Sequence, residues 1–437
     1  MDWVLYLVLF FGGLVLLLLV GLPVAIAFAL VNLIGVYAFW GGAGGLGQLI
    51  LSIDSSVASF VLVPVPMFIL MGTVMFHSGV AARMIDVLDQ WLGHIAGRLA
   101  VLAVAAGTVF ATLTGVAMGS VAMLGSTLVP DMERRGYSRS LALGSVLASG
   151  SLAIMIPPSA LAVILASLGK FSVGGLLVGI VIPGLILAAA YAAYIIIRCT
   201  LQPQLAPAYS VERTQLAPRL RDTLIYVAPG LLMIVIVIAT IFAGIATPTE
   251  AAAIGALLSL VIAAAYGKLG WAIIKKSIGS ATSLSVMVLL VLTGSAAFSQ
   301  LLSFSGVTPA ITGLATSLDV HPILVLVLMQ LVVMVLGCFI EQTAIVLVTI
   351  PIFMPIVAAM GWNPIWFGAI MMLNLEMATI TPPFGLALFV MKGLAPPGTT
   401  IGEIYRAAFP FIGINLVVMA LMILVPDIVL WLPARME

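Results

Sequence analysis

Apolar runs long enough to enter a bilayer are interrupted in this chain, twice and at matched intervals, by residues that cannot continue a helix. The first pair of interruptions is Thr112-Leu113-Thr114-Gly115 and Ile156-Pro157-Pro158-Ser159. The second is Gly337-Cys338-Phe339-Ile340-Glu341-Gln342-Thr343 and Thr379-Ile380-Thr381-Pro382-Pro383-Phe384-Gly385. Pro130 and Pro355, Gly136 and Gly361, Pro157 and Pro382, and Pro23 and Pro248 all stand 225 residues apart. A shared offset across several helix-breaking residues reads as an internal duplication. Proline removes a backbone donor and clashes with the preceding turn. At membrane depth such breaks survive only where protein or a wet cavity satisfies the freed backbone groups. Paired broken segments in the two halves of a membrane protein point to a transporter's binding site.

Composition agrees with a polytopic all-α membrane protein: 63% of the 437 residues are hydrophobic and only 7% are charged, more apolar than a water-soluble core requires. A net charge of +1 gives no reason to expect a nucleic-acid partner. Cys199 and Cys338 are far apart and suggest neither a disulfide framework nor a metal cluster. The first apolar run has only Asp2 ahead of Trp3, so it lacks the basic start of a cleaved signal and reads as a retained span.

The hydropathy pattern predicts spans near residues 3–20, 22–40, 61–78 and 176–198, with a re-entrant hairpin at 98–129 and a broken helix at 140–168 between the last two. The second half repeats the plan: spans near 222–243, 249–266, 283–303 and 407–432, a hairpin at 322–357 and a broken helix at 363–391. The expected architecture is therefore about ten spans plus two hairpins and two broken helices. It divides into a first repeat (1–200), a polar cytoplasmic linker (201–221) and a second repeat (222–437). Five crossings per half is an odd number, so the halves should be inverted relative to each other. Threading the chain this way leaves only Lys170 and Arg435, of 16 Lys and Arg, on the side opposite the rest. The positive-inside rule then makes the crowded side cytoplasmic and both termini extracytoplasmic. The glycine-rich stretch at 41–45 reads as a flexible connection, lacking the strand–loop–helix context and lysine of a phosphate loop.

At each tip and break, helix ends offer partial positive charge to an anion, and freed carbonyls and hydroxyls offer oxygen to a cation. Thr112, Thr114, Ser149, Ser151 and Ser159 in the first half, and Thr343, Asn374, Thr379 and Thr381 in the second, suit that chemistry. Neutral oxygens serve a hard cation such as sodium, whereas zinc or iron would want clustered His or Cys. Glu341 and Glu376 are the acidic candidates for ion coordination or for stabilising a tip. Glu250 follows Thr247-Pro248-Thr249 and reads as an ordinary helix start. No intramembrane Arg or Lys is available to pair with a substrate anion, and His77, His94 and His321 are scattered near the expected membrane surfaces.

Gly21-Leu22-Pro23-Val24-Ala25, Gly244-Ile245-Ala246-Thr247-Pro248-Thr249-Glu250-Ala251-Ala252, Gly136-Tyr137, Ile156-Pro157-Pro158-Ser159 and Thr381-Pro382-Pro383-Phe384-Gly385 together resemble the large membrane subunit of a TRAP (tripartite ATP-independent periplasmic) transporter. The resemblance runs from about residue 3 to 432; Glu341, where an Asp is usual, and a serine-poor first tip depart from it. It implies a carrier in a bacterial or archaeal inner membrane, an elevator mechanism, and coupling to sodium ions with no other cofactor. It also implies three partners: a small four-helix membrane subunit, a periplasmic binding protein, and an organic acid such as a C4-dicarboxylate, a sialic acid or another sugar acid. Carried onto this sequence, substrate contacts are expected at Thr114, Gly115, Ser151, Pro158, Ser159, Asn374, Thr381, Pro382 and Pro383. Sodium ligands are expected at Thr112, Thr114, Gly115, Ser149, Gly337, Glu341, Thr343, Thr379 and Thr381.

Three other classes would leave different marks on the sequence. A carboxylate symporter of similar build would need no binding protein and could couple to sodium or to protons through Glu341 and Glu376. A channel would more often place its filter on an oligomer axis. An intramembrane protease would need a buried Ser–His pair, paired aspartates or a metal site, so no enzymatic activity is expected.

Overall fold

A computed structural model describes residues 2–93, 95–114, 117–207, 216–317 and 320–436. Those residues form helices joined by turns and short connections, without a strand. The first half contains α1 (Trp3–Leu19), α2 (Val24–Phe39), α3 (Ala43–Val57), α4 (Pro64–His77), α5 (Val80–Trp91), α6 (Arg98–Thr114), α7 (Ala117–Arg134), α8 (Arg139–Ser151), α9 (Ala160–Leu168) and α10 (Val173–Leu201). The second contains α11 (Leu216–Phe242), α12 (Pro248–Ala265), α13 (Trp271–Phe304), α14 (Val307–Ser317), α15 (Pro322–Gly337), α16 (Gln342–Ala359), α17 (Pro364–Thr379), α18 (Leu386–Leu394) and α19 (Ile401–Leu424).

Among the described residues, seven helices are long and apolar enough to cross a membrane. Large apolar side chains such as Leu16, Ile34, Leu232, Val235 and Leu257 are more than half exposed, a surface that lipid explains and water would not.

The matched interval reappears in the folded chain. Shifting α7 by 225 residues reproduces both ends of α16, and the same shift places the start of α8 on the start of α17. Gly136 and Gly361 both adopt φ values in the left-handed region, 76° and 66°, where glycine carries no Cβ penalty. The peptide bonds Pro157–Pro158 and Pro382–Pro383 are both cis. Local chemistry sets the helix starts that follow. Ser138 accepts from the Leu141 amide to cap α8, and Asn363 accepts from the amides of Ile365 and Trp366 to cap α17.

Three expectations change. The glycine stretch is not a flexible connection: Gly42, with φ of 62°, caps α3, which begins inside it. Its counterpart in the second half is not separate, because the helical path runs unbroken through the 34 residues of α13, well beyond the expected span at 283–303. The linker at 201–221 carries helical structure at Pro203–Leu205 and from Leu216 onward, the ends of an otherwise polar strap. Glu250, by contrast, forms the expected helix start: with Thr247 it makes a reciprocal capping box at α12.

Packing sorts the helices into two groups. In one group α4 lies against both α12 and α13, and α13 also packs on α2. In the other group α6 and α7 both lie on α8, while α15 and α16 both lie on α17. The two halves also interlock: α9 packs on α16, and α18 packs on α7. Glycine permits the closest approaches. A Cβ on Gly107 of α6 would lie 2.4 Å from the Ser149 carbonyl oxygen on α8, and one on Gly337 of α15 would lie 2.2 Å from the Ala378 Cβ on α17.

Candidate functional site

The second tip and the second break come together. Glu341 caps α16, its carboxylate accepting from the Thr343 amide at 2.9 Å, the Ala344 amide at 3.4 Å and the Thr343 hydroxyl at 3.0 Å. The side chain therefore holds the tip in shape, one of the two roles its position suggested. Cys338 Sγ donates to the Pro382 carbonyl at 3.4 Å, and Gln342 Nε2 donates to the Leu375 carbonyl at 3.3 Å, tying the tip to α17 and its break. A crevice too narrow to hold a water molecule is lined there by Gly337, Ile340, Gln342, Ala378, Thr379 and Leu386. Gly337 and Thr379, both expected ion ligands, share its wall. The Pro383 carbonyl accepts from the Tyr405 hydroxyl of α19.

Several expected hydroxyls bond to their own helix, as Ser and Thr commonly do. Ser149 donates to the Ser145 carbonyl, Thr379 to that of Glu376 at 2.8 Å and Thr381 to that of Met377 at 2.7 Å. Their remaining oxygen lone pairs stay available. Ser159 caps α9, accepting from the Ala162 amide at 3.4 Å, directly after the buried Pro157–Pro158 break. Asn374 donates to the backbone carbonyl and side-chain oxygen of Gln330 at 2.6 and 2.9 Å, joining α17 to α15. Gly115 lies outside the described residues, as do the side chains of Thr112 and Thr114.

The centre of the arrangement is Glu376. It is fully buried, and its Oε1 accepts from the Ser151 and Tyr191 hydroxyls, each at 3.1 Å. Tyr191 in turn accepts from Asn415 Nδ2 at 2.8 Å. Four helices, α8, α10, α17 and α19, thus meet through polar atoms, with the Phe411 ring edge-on to Tyr191 at 5.3 Å. Ser151 and Glu376 are themselves separated by 225 residues, so the two halves touch at corresponding positions. Tyr191, Asn415 and Gln330 were not singled out from sequence. Each is an isolated polar group in an apolar run, the signal that should have marked it.

Among the described residues no group of three or more His, Cys, Asp or Glu could hold a transition metal. Both cysteines are free and buried. His321 caps α15 and His77 faces the Ser280 hydroxyl; His94 is outside the described residues. The site is a set of backbone breaks, neutral oxygens and one buried carboxylate.

Residues 11–428 match the family model described as "Tripartite ATP-independent periplasmic transporter, DctM component". The chain belongs to this family. It is a membrane transport permease subunit, a class that is not enzymatic. It is 34% identical to the C4-dicarboxylate TRAP transporter large permease protein DctM of Pseudomonas aeruginosa, over 86% of each chain. It is 31% identical to the ectoine TRAP transporter large permease protein TeaC of Halomonas elongata, over 95% of this permease and 96% of that one. The solved structure of Neisseria gonorrhoeae MtrF superposes with a TM-score of 0.65 at 14% identity, covering 89% of this chain and 85% of that one. At that identity the likeness is one of fold.

Proposed function

We propose that this permease performs sodium-coupled uptake of an organic acid delivered by a periplasmic binding protein, working with a small four-helix membrane subunit in a bacterial or archaeal inner membrane. The observation that carries the reading is the contact between Ser151 and Glu376. Corresponding positions of two related halves can touch each other only where the axis relating the halves passes. The broken helices α8–α9 and α17–α18 then flank that axis, the position from which a midplane site is built in inverted-repeat transporters. The repeats are residues 1–200 and 222–437, joined by the linker 201–221, and both termini are extracytoplasmic.

In this reading the group built on α8 and α17 is the moving unit, and the group built on α4, α12 and α13 is the static one. Sodium ions bind at the tips and breaks, through Thr112, Thr114, Gly115, Ser149, Gly337, Glu341, Thr343, Thr379 and Thr381. The acid lies between the breaks, held by helix ends, amides and hydroxyls from Thr114, Gly115, Ser151, Pro158, Ser159, Asn374, Thr381, Pro382 and Pro383. Geometry qualifies part of this assignment. Ser151 is engaged with Glu376, and Asn374 with Gln330, so both support the site before they touch a ligand. Relatives named for a C4-dicarboxylate and for ectoine are similarly distant; the choice of an organic acid follows the several relatives named for C4-dicarboxylates.

The test is uptake into proteoliposomes holding this chain and its small subunit, with labelled succinate, N-acetylneuraminate, gluconate and ectoine. Each is run with and without an inward sodium gradient and with and without the binding protein. Uptake requiring both is the expected result. Uptake with sodium alone would identify a free-standing symporter, and uptake driven only by a proton gradient would refute sodium coupling.

A further inference from the structure

Away from the breaks, a polar pocket of about 280 Å³ lies between the last turn of α3, residues 292–300 of α13 and the end of α9. Its wall includes Ser55, Ser56, Ser167, Lys170, Ser299 and Gln300. Such a hydroxyl-rich lining is unusual in a chain this apolar. Lys170 is the only ionisable residue in the wall, and among the described residues no carboxylate lies within ion-pair distance of it.

Three features say that the pocket is built to hold something polar. First, two buried wall atoms have no hydrogen-bond partner, the Ser167 hydroxyl and Gln300 Oε1; buried polar groups are normally satisfied. Second, Ser55 and Ser56 spend their hydroxyl protons on the Ser52 carbonyl at 3.0 and 2.7 Å, which leaves their oxygens as acceptors. Third, Lys170 occupies a left-handed position, φ 56°, the only non-glycine to do so among the described residues. It is the residue after the C-cap of α9: its amide bonds to the Ser167 carbonyl, and the Phe171 amide to that of Ala166. Glycine is the inexpensive occupant of that place; lysine puts a cation at the pocket wall instead.

We infer that this pocket is a second anion site, taking a small hydroxylated organic carboxylate between Lys170 and the hydroxyls of α3 and α13, on the outer side of the permease and apart from the breaks. One unpaired ammonium matches one carboxylate, and the serine and glutamine atoms match hydroxyl groups. The volume is at the small end for ligand clefts, about 300–1,000 Å³, and suits a free acid better than a lipid. The pocket joins α9, a helix end of the proposed moving unit, to α13 of the static one and to α3, which packs on α13, so its occupant would be met before the hairpin site. The outer placement and the order of encounter rest on the proposed topology and function.

The test reads occupancy directly. Ser299→Cys is introduced into the full chain in phosphatidylcholine nanodiscs and labelled with a charged methanethiosulfonate, with Ser55→Cys as a second reporter; Cys199 and Cys338 are buried. Gluconate or N-acetylneuraminate should slow labelling, and neutral glucose should not. Lys170→Gln should raise the protecting concentration about tenfold, the loss expected for a charge-assisted bond, and Lys170→Arg should restore it. Protection that ignores Lys170→Gln, no protection by any of the acids, or no labelling at either reporter would overturn the inference. Protection seen only when phosphatidylglycerol is added would overturn it in favour of a lipid headgroup. Uptake without protection would sink this pocket alone, whereas protection without uptake would leave it standing and sink the transport reading.

Discussion

Replacing Glu376 separates its hydrogen-bonding role from its mere presence. Glu376→Ala removes the acceptor shared by Ser151 and Tyr191 and leaves a void among fully buried side chains. Ser151 keeps a second acceptor, the Ala148 carbonyl at 2.9 Å, so the donor stranded is the Tyr191 hydroxyl. A buried donor without an acceptor costs about 1–3 kcal/mol; with the void, the total should reach about 2–5 kcal/mol. Glu376→Gln keeps an oxygen at the Oε1 position and places its NH₂ where Oε2 already lacks a partner. The shape is unchanged and one unpaired polar atom replaces another, so the cost should stay well below that of Glu376→Ala. Thermal unfolding of the purified chain in one detergent should therefore rank the parent and Glu376→Gln close together, with Glu376→Ala several degrees lower. Tyr191→Phe should cost less than Glu376→Ala, and the double variant should lose less than the two singles summed, with a coupling of about 0.5–3 kcal/mol. Equal losses for Gln and Ala, or strictly additive losses in the cycle, would refute the reasoning that this carboxylate acts as the acceptor joining the two halves.

Other outcomes follow from the same geometry. Gly107→Ala should destabilise the chain by about 1–3 kcal/mol and depress uptake, because the new Cβ meets the backbone of Ser149 and no rotamer relieves it; Gly313→Ala, with nothing within 4 Å, should be tolerated in the same assay. Glu341→Ala should lower uptake and raise the sodium concentration for half-maximal rate, while Glu341→Asp, which can still cap α16, should retain most of both. Replacing sodium by choline should abolish binding-protein-dependent uptake, and activity that persists in choline would count against the coupling ion. Cysteines at Arg134 and Arg435 should react with an impermeant reagent from opposite sides of oriented vesicles, and labelling from one side would break the proposed topology.

Sequence and structure divide the explanation along a physical line. Whether a segment can enter a bilayer, and where its helix must stop, are local properties set by hydropathy, proline and capping side chains. The membrane class, the breaks at Pro157 and Pro382, and the offset of 225 residues that recurs in the helix ends were legible for that reason. So was the Thr247–Glu250 start of α12, whose partners are three residues apart. The helix after Gly42 was missed because its glycine-rich first turn looks like a loop and its apolar face is too short to read as a span. The identity of neighbours across long separations was not available at all. Nothing local pairs Ser151 with Glu376, Tyr191 with Asn415, or Lys170 with the serines of α3 and α13. Those meetings depend on how four or more helices pack, and a rotation of one helix by a single residue would dissolve them. The chain's own composition decided that it crosses a membrane with broken helices; tertiary packing alone decided which polar atoms face one another inside it.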